Sequence, residues 1–263
     1  ENLELYVASA TRGNAKSITS DIDRCLMTVT LSDTGEIAFG AQLRWTADSE
    51  DILAKIGWHG EEQICRIPRS GGRLKPLTSG RGIHSMGNFA SDGKTCAMMI
   101  GCATAPPEIY VGNVGATKIS TKQVSFENTA WCKEHAIAIP KEKWITSKDK
   151  TKIHCWIMRP PPEVRKRASK PTVLQIHGGP HCQYGWMFFH EFQCLASAGY
   201  TVVFSNPRGS KGYGQKHCEA ILNDWGGADW VDMQAVIVMM QKDKNINSKN
   251  MGVMGGSYGG YMT

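Results

Sequence analysis

Two hydrophobic rhythms divide the chain. Through about Trp131, short runs of β-branched and aromatic residues are separated by polar, glycine-containing turns. Glu4-Leu5-Tyr6-Val7 through Ile18-Thr19-Ser20 aligns with Gln63-Ile64-Cys65-Arg66 through Leu77-Thr78-Ser79 at an offset of 59. At the same offset Ser32-Asp33-Thr34-Gly35-Glu36 matches Ser91-Asp92-Gly93-Lys94 with one residue of slippage, and a partial third copy opens at Glu108-Ile109-Tyr110-Val111. Each unit reads as strand, turn, strand ending in threonine, and Asp-Gly-type turn. Repeats of about 40–60 residues made of short strands suggest propeller blades, which bury their faces only against one another. Two to three blades cannot close a ring, so further blades are expected before Glu1. An ordinary β-sandwich is the alternative.

From about Trp144 the rhythm changes. Lys143–Thr146 and Lys152–Met158 read as strands around the turn Ser147-Lys148-Asp149-Lys150, and a proline-rich charged connector runs from Arg159 to Lys170. Thr172–Ile176 is a continuous apolar-rich run of the kind buried on both faces of a sheet. A helix is predicted from Gly185 to Ala198, a strand over Thr201–Ser205, and a helix over Trp230–Lys242. That last helix would turn Val231, Ala235, Val238 and Met239 inward, with Asp229 as its cap. Met251–Met254 is the last strand. Alternating strands and helices predict a parallel or mixed α/β sheet with right-handed crossovers. The boundary between the two regions is expected near 135, giving 1–135 and 136–263.

Hydrophobic residues make up 41% of the 263 positions and charged residues 21%, which excludes disorder as a description of the whole. No apolar run approaches the roughly 18 residues of a membrane-spanning helix, so no membrane partner is expected. Nine scattered cysteines without a C-x-x-C pair argue against a disulfide framework and a zinc site, and suggest a reducing, cytoplasmic setting. The net charge is +6, and Lys141–Lys170 alone carries an excess of seven positive charges. Pro160, Pro161 and Pro162 split that stretch, which reads as a solvated loop and not as a nucleic-acid surface. No metal or other cofactor is expected.

The chemistry concentrates in glycine-rich turns. Gly255-Gly256-Ser257-Tyr258-Gly259 is G-x-S-x-G directly after a strand, the pattern that lifts a serine hydroxyl above a sheet on a sharp strand-to-helix turn. A phosphate loop would need Gly-Lys-Ser/Thr, and no lysine is present. His177-Gly178-Gly179-Pro180 follows another strand. Its glycines leave N–H groups free for a substrate oxyanion, and each such donor is worth roughly 3–4 kcal/mol. The expected donors are the amides of Tyr258 and Gly179, with Gly178 beside them and His177 as a further candidate. A histidine that merely bonds the strand is the alternative for His177.

Together with Gln183-Tyr184-Gly185, Asn206-Pro207-Arg208-Gly209-Ser210-Lys211-Gly212-Tyr213-Gly214, Asp224-Trp225-Gly226-Gly227 and Gly260-Tyr261-Met262-Thr263, these motifs resemble the prolyl oligopeptidase family of serine peptidases. The acylaminoacyl-peptidase and dipeptidyl-peptidase-like branch is the nearest match. The resemblance is dense over Thr172–Thr263 and looser over Glu1–Trp131. It implies a β-propeller capping the N-terminal part of an α/β-hydrolase domain, with short peptides as substrates. Some members of that family place an oxyanion-holding tyrosine where this chain has His177.

An α/β-hydrolase orders its triad as Ser, Asp or Glu, then His. Nothing follows Thr263, and His59, His84, His135, His154, His181, His190 and His217 have no evident partners. The triad acid and base are therefore expected outside this sequence, and these residues alone are expected to be inactive. Arg208 reads as a tie between a loop and the sheet, Trp225 as packing at a helix entry, and Glu61-Glu62 as an ordinary polar hairpin. The leading function is a serine peptidase working through an acyl-enzyme on Ser257. An α/β-hydrolase esterase and a non-catalytic interaction protein are the alternatives.

Overall fold

The computed structural model describes residues 2–27, 29–34, 40–164 and 171–263. The Gly35-Glu36 end of the repeat match and the end of the connector to Lys170 lie outside the described residues.

The first half is antiparallel. The hairpin β1 (Tyr6–Ala8) and β2 (Ala15–Ser17) packs on a four-stranded meander of β3 (Leu43–Trp45), β4 (Asp51–Trp58), β5 (Glu61–Pro68) and β6 (Lys75–Pro76). A second four-stranded meander follows: β7 (Ile83–Phe89), β8 (Thr95–Cys102), β9 (Ala105–Val114) and β10 (Ile119–Gln123). The two meanders meet edge to edge only at the parallel pair Glu62–Ile83. Otherwise they stack by their faces. Ile52, Ala54 and Ile56 of β4 pack toward Leu5, Ile18 and Leu26, while Leu53 and Ile64 pack toward Leu77, Cys96, Met98, Val114 and Ile119. Strand β4 is buried on both faces, hence its largely apolar run, and its internal charge, Lys55, is paired with Glu62.

The 59-residue repeat has a physical basis. Ile18 N donates to Leu5 O (2.9 Å), and Leu5 N to Thr19 Oγ1 (2.8 Å). One repeat on, Leu77 N donates to Ile64 O (2.8 Å), and Ile64 N to Thr78 Oγ1 (2.9 Å). In the partial third copy Val124 N donates to Ile109 O (2.9 Å), and Ile109 N to Ser125 Oγ (2.8 Å). The two Ser-Asp turns are not equivalent. Asp92 accepts the amides of Lys94 and Thr95, both at 2.8 Å, within its own turn. Asp33 instead accepts the amides of His190 (2.6 Å) and Glu191 (2.7 Å) in the second half.

After α1 (Thr129–Glu134) the chain builds a mixed five-stranded sheet in the order β11 (Pro140–Thr146), β12 (Lys152–Met158), β14 (Thr201–Asn206), β13 (Thr172–Ile176), β15 (Met251–Gly255). β13, β14 and β15 are parallel, β12 pairs antiparallel with β14, and β11 pairs antiparallel with β12. Helix α2 (His190–Ser197) covers one face through Phe192 and Ala196, which pack on Trp156, Val173, Val202 and Phe204. Helix α4 (Ala228–Lys242) covers the other through Met233, Val236, Met239 and Met240. Two short helices complete the half, α3 (Gln215–Glu219) and α5 (Tyr258–Met262). The described residues include no helix long and apolar enough to cross a membrane and no group of three or more His, Cys, Asp or Glu placed to hold a metal ion.

Two helix predictions need correction. Residues 185–189 are not helical, because Trp186 N donates to Gly60 O (2.7 Å) and α2 starts only at His190, where Asp33 satisfies its first amides. Asp229 does not cap α4, whose N-cap is Gly227. The inward face of α4 is Asp229, Asp232, Met233, Val236, Met239 and Met240, while Val238 is 44% exposed. Two buried aspartates occupy positions that hydropathy assigns to the surface.

The halves dock through the β4–β5 hairpin tip. His59 N donates to Gly212 O (3.0 Å), and Gly60 N to Gln183 Oε1 (3.1 Å). Gly60 and Gly185 touch backbone to backbone: a Cβ on Gly185 would fall 2.0 Å from Gly60 O. The wholly buried Gln183 also reaches Thr30 Oγ1 (2.8 Å), and its backbone exchanges hydrogen bonds with Val29 and Leu31.

Candidate active site

Strand β15 ends at Gly255 and α5 begins at Tyr258, so the chain reverses within Gly256-Ser257. Ser257 makes this turn at φ 56°, ψ −119°, a strained conformation for a residue with a Cβ. The side chain is exposed, above the C-terminal edge of the parallel strands. Close packing dictates the surrounding glycines. A Cβ on Gly259 would lie 2.0 Å from Ile176 O, and one on Gly255 would lie 2.3 Å from Gly259 O.

The loop after β13 lies against the elbow. A Cβ on Gly178 would stand 3.3 Å from Ser257 Cβ and 3.0 Å from Gly256 O. Gly179 has φ 127°, a region open to glycine. Among the described residues, the amides of Gly178, Gly179 and Tyr258 donate to no backbone carbonyl. The turn thus brings together a hydroxyl and three unengaged N–H groups from two neighbouring loops.

His177 is turned away from this opening. It is 2% exposed, with Nδ1 at 2.8 Å from Gly178 O and Nε2 at 2.9 Å from Ser210 Oγ. Nδ1–H donates to the Gly178 carbonyl, and Nε2 lies against the Ser210 hydroxyl, which itself donates to Pro207 O at 2.7 Å. Burial lowers its pKa to about 4, so it stays neutral at neutral pH. This favours the structural role over the oxyanion role for its side chain.

The other singled-out residues are structural in their contacts. Arg208 makes a two-pronged pair with Asp232 (Nε–Oδ2 3.0 Å, Nη2–Oδ1 2.7 Å), bonds Ala228 O (3.0 Å), and meets Asp149 Oδ2 (2.6 Å). It ties the loop after β14 to α4 and to the β11–β12 turn, where the sequence reading expects a tie to the sheet. Glu62 is buried in an ion pair with Lys55 (2.7 Å) and accepts Thr30 N (2.9 Å). Burial raises the pKa of its neighbour Glu61. His154, stacked on Trp144 at 4.2 Å, has Nδ1 at 2.8 Å from the Tyr213 hydroxyl and Nε2 at 2.8 Å from Glu142. Burial lowers its pKa to about 3 despite that carboxylate. No histidine among the described residues hydrogen-bonds Ser257 Oγ. Six of the nine cysteines are buried.

The model of the prolyl oligopeptidase family matches residues 186–263. Residues 186–263 carry the signature of the prolyl oligopeptidase family. Over 255 residues, 96% of the chain, it is 35% identical to a protein of Bacillus subtilis (strain 168) named as the uncharacterized peptidase YuxL. It is 25% identical over 221 residues to dipeptidyl-peptidase 5 of Porphyromonas gingivalis. These matches take in 83% of the chain for the second protein, and 38% and 32% of the two relatives' lengths. The chain therefore spans about a third of the curated relatives it matches. The solved acylaminoacyl peptidase of Pyrococcus horikoshii superposes over 100% of the chain and 38% of its own with a TM-score of 0.79, at 23% identity. At that identity the likeness is one of fold, and the mixed sheet with helices on both faces is of the α/β-hydrolase class.

The sequence reading missed Asp232 and the roles of Asp229, which it took for a helix cap, and of Gln183, which it quoted only within a motif. Each is a buried polar side chain whose partner lies 24 to 153 residues away, and no local pattern announces such pairs.

Proposed function

We propose that this chain carries the nucleophile of a serine peptidase of the prolyl oligopeptidase family that cleaves short peptides. Ser257 Oγ attacks the scissile carbonyl carbon, and the oxyanion is received by the amides of Tyr258 and Gly179, with Gly178 alongside. The C–N bond breaks, the amine leaves with a proton, and water hydrolyses the acyl ester. A serine hydroxyl needs a base to take its proton. The triad histidine and acid are assigned to sequence outside 1–263, so these residues alone are expected to be inactive. The two stacked meanders are read as blades of a β-propeller over residues 1–135 that restricts access to small peptides.

The observation that carries this reading is the left-handed turn at Ser257 beside Gly178. The test uses the full-length protein. A fluorophosphonate should label Ser257, and Ser257→Ala should lose both labelling and peptide cleavage. Cleavage retained by that variant refutes the assignment. Faster turnover of a blocked dipeptide amide than of an aryl ester of matched leaving ability separates peptidase from esterase.

A further inference from the structure

The residue after the nucleophile is held from below. Tyr258 is 8% exposed, and its hydroxyl donates to Asp229, which is fully buried in the first turn of α4. Asp229 Oδ1 also accepts the amide of Trp230 at 2.9 Å. The Tyr258 ring lies edge-on to Trp225 at 5.0 Å and beside Tyr261 at 5.5 Å, whose hydroxyl bonds Trp225 O at 3.2 Å. The Asp224-Trp225-Gly226-Gly227 turn is thus the seat on which α5 rests. Gly226 leaves room for it, since a Cβ there would meet the Tyr261 hydroxyl at 3.0 Å.

Among the described residues no cation pairs with Asp229. A carboxylate placed out of water opposite a phenol costs desolvation that an apolar pair would avoid. The first turn of a helix favours its negative charge, but does not require it there. Burial and Asp229 together raise the phenol pKa, so Tyr258 remains a donor at all ordinary pH. The bond is directional, and it grips a side chain on the same Cα as the amide assigned to the oxyanion.

We propose that Asp229 is a positioning residue of the nucleophile elbow, fixing the Ser257–Tyr258 peptide unit by holding the Tyr258 phenol. The inference rests on Ser257 being the nucleophile. An oxyanion donor displaced by a fraction of an ångström loses much of its effect on the transition state, with little effect on ground-state binding.

The experiment compares Asp229→Ala, Asp229→Asn, Tyr258→Phe and the double variant Asp229→Ala/Tyr258→Phe in the full-length protein. Peptide turnover, the fluorophosphonate acylation rate and the thermal midpoint are measured for each. Asp229→Ala and Tyr258→Phe should each lower kcat by about 10- to 100-fold with KM within about twofold. The double variant should be no worse than either single one, and Asp229→Asn, which retains an acceptor, should recover most of the loss. If Asp229→Ala does not fold, Tyr258→Phe and Asp229→Asn decide alone. Unchanged kcat and acylation rate in folded variants overturn the proposal, and so does a drop in thermal midpoint with kcat intact, which marks a mere brace. Cleavage retained by Ser257→Ala sinks the peptidase reading itself. Loss with Ser257→Ala alongside full kcat in the Asp229 variants sinks only this inference.

Discussion

In the antiparallel half one local device occurs three times, with Leu5, Ile64 and Ile109 each accepting an amide and donating to a hydroxyl at the next position, on Thr19, Thr78 or Ser125. In the α/β half no such device recurs. There Arg208 closes one loop, His177 another, and Asp229 holds one tyrosine. The repeated half is built from short-range bonds spanning 14 to 16 residues, so its plan shows in spacing. The other half is built from long-range polar pairs under an apolar sheet. Removing one member there leaves a buried partner stranded, whereas removing one clamp in the repeat leaves the other two.

The largest expected effect tests that asymmetry. Arg208→Ala strands Asp232, which is 0% exposed, and should cost about 3–5 kcal/mol in urea unfolding. A loss under 1 kcal/mol would mean the α/β half tolerates broken pairs as well as the repeat does.

Acid should separate the halves next. Burial lowers the pKa of His154 to about 3 and of His177 and His217 to about 4, all in the α/β half. His59 and His84 in the antiparallel half are lowered as well. These groups are neutral in both states at pH 7. As pH falls below the unfolded value near 6.5, the unfolded chain binds protons that the native state refuses, so stability is lost toward pH 5. Each buried histidine contributes up to about 1 kcal/mol per pH unit. Chemical-denaturation midpoints should therefore drop from pH 7 to pH 5, and the slope should flatten in His154→Phe. A midpoint constant over that range contradicts the burial argument.

The smallest effect sharpens the repeat itself. Thr19→Val and Thr78→Val each leave one buried amide without its acceptor, at a cost of about 1 kcal/mol. By equilibrium unfolding the cost at Thr78 should exceed that at Thr19, because the Thr78 hydroxyl also donates to Gln63 Oε1 at 2.7 Å. A larger cost at Thr19 would show that the amide clamp itself differs between the copies.

The same contrast accounts for what could be read from sequence. Thr172–Ile176 and Thr201–Ser205 were legible because strands covered on both faces are rich in apolar residues, whereas Met251–Met254, with Val253 and Met254 exposed, was legible as a short apolar run before a glycine turn. The elbow and the loop after β13 were legible because only glycine fits where Gly259 meets Ile176, and because a Cβ on Gly178 would press on Gly256. The face of α4 was misread because Asp229 and Asp232 are polar by type and buried by partnership. The start of α2 was misread because its first amides are served by Asp33, 157 residues earlier. Pairs of that kind exist only once the chain has folded.

The crossing of Gly60 over Gly185 limits how the halves can move. With no side chain between the two backbones and hydrogen bonds on either side, sliding is blocked at that point. An alanine at either glycine would drive a methyl into the other's backbone and act as a wedge between the halves.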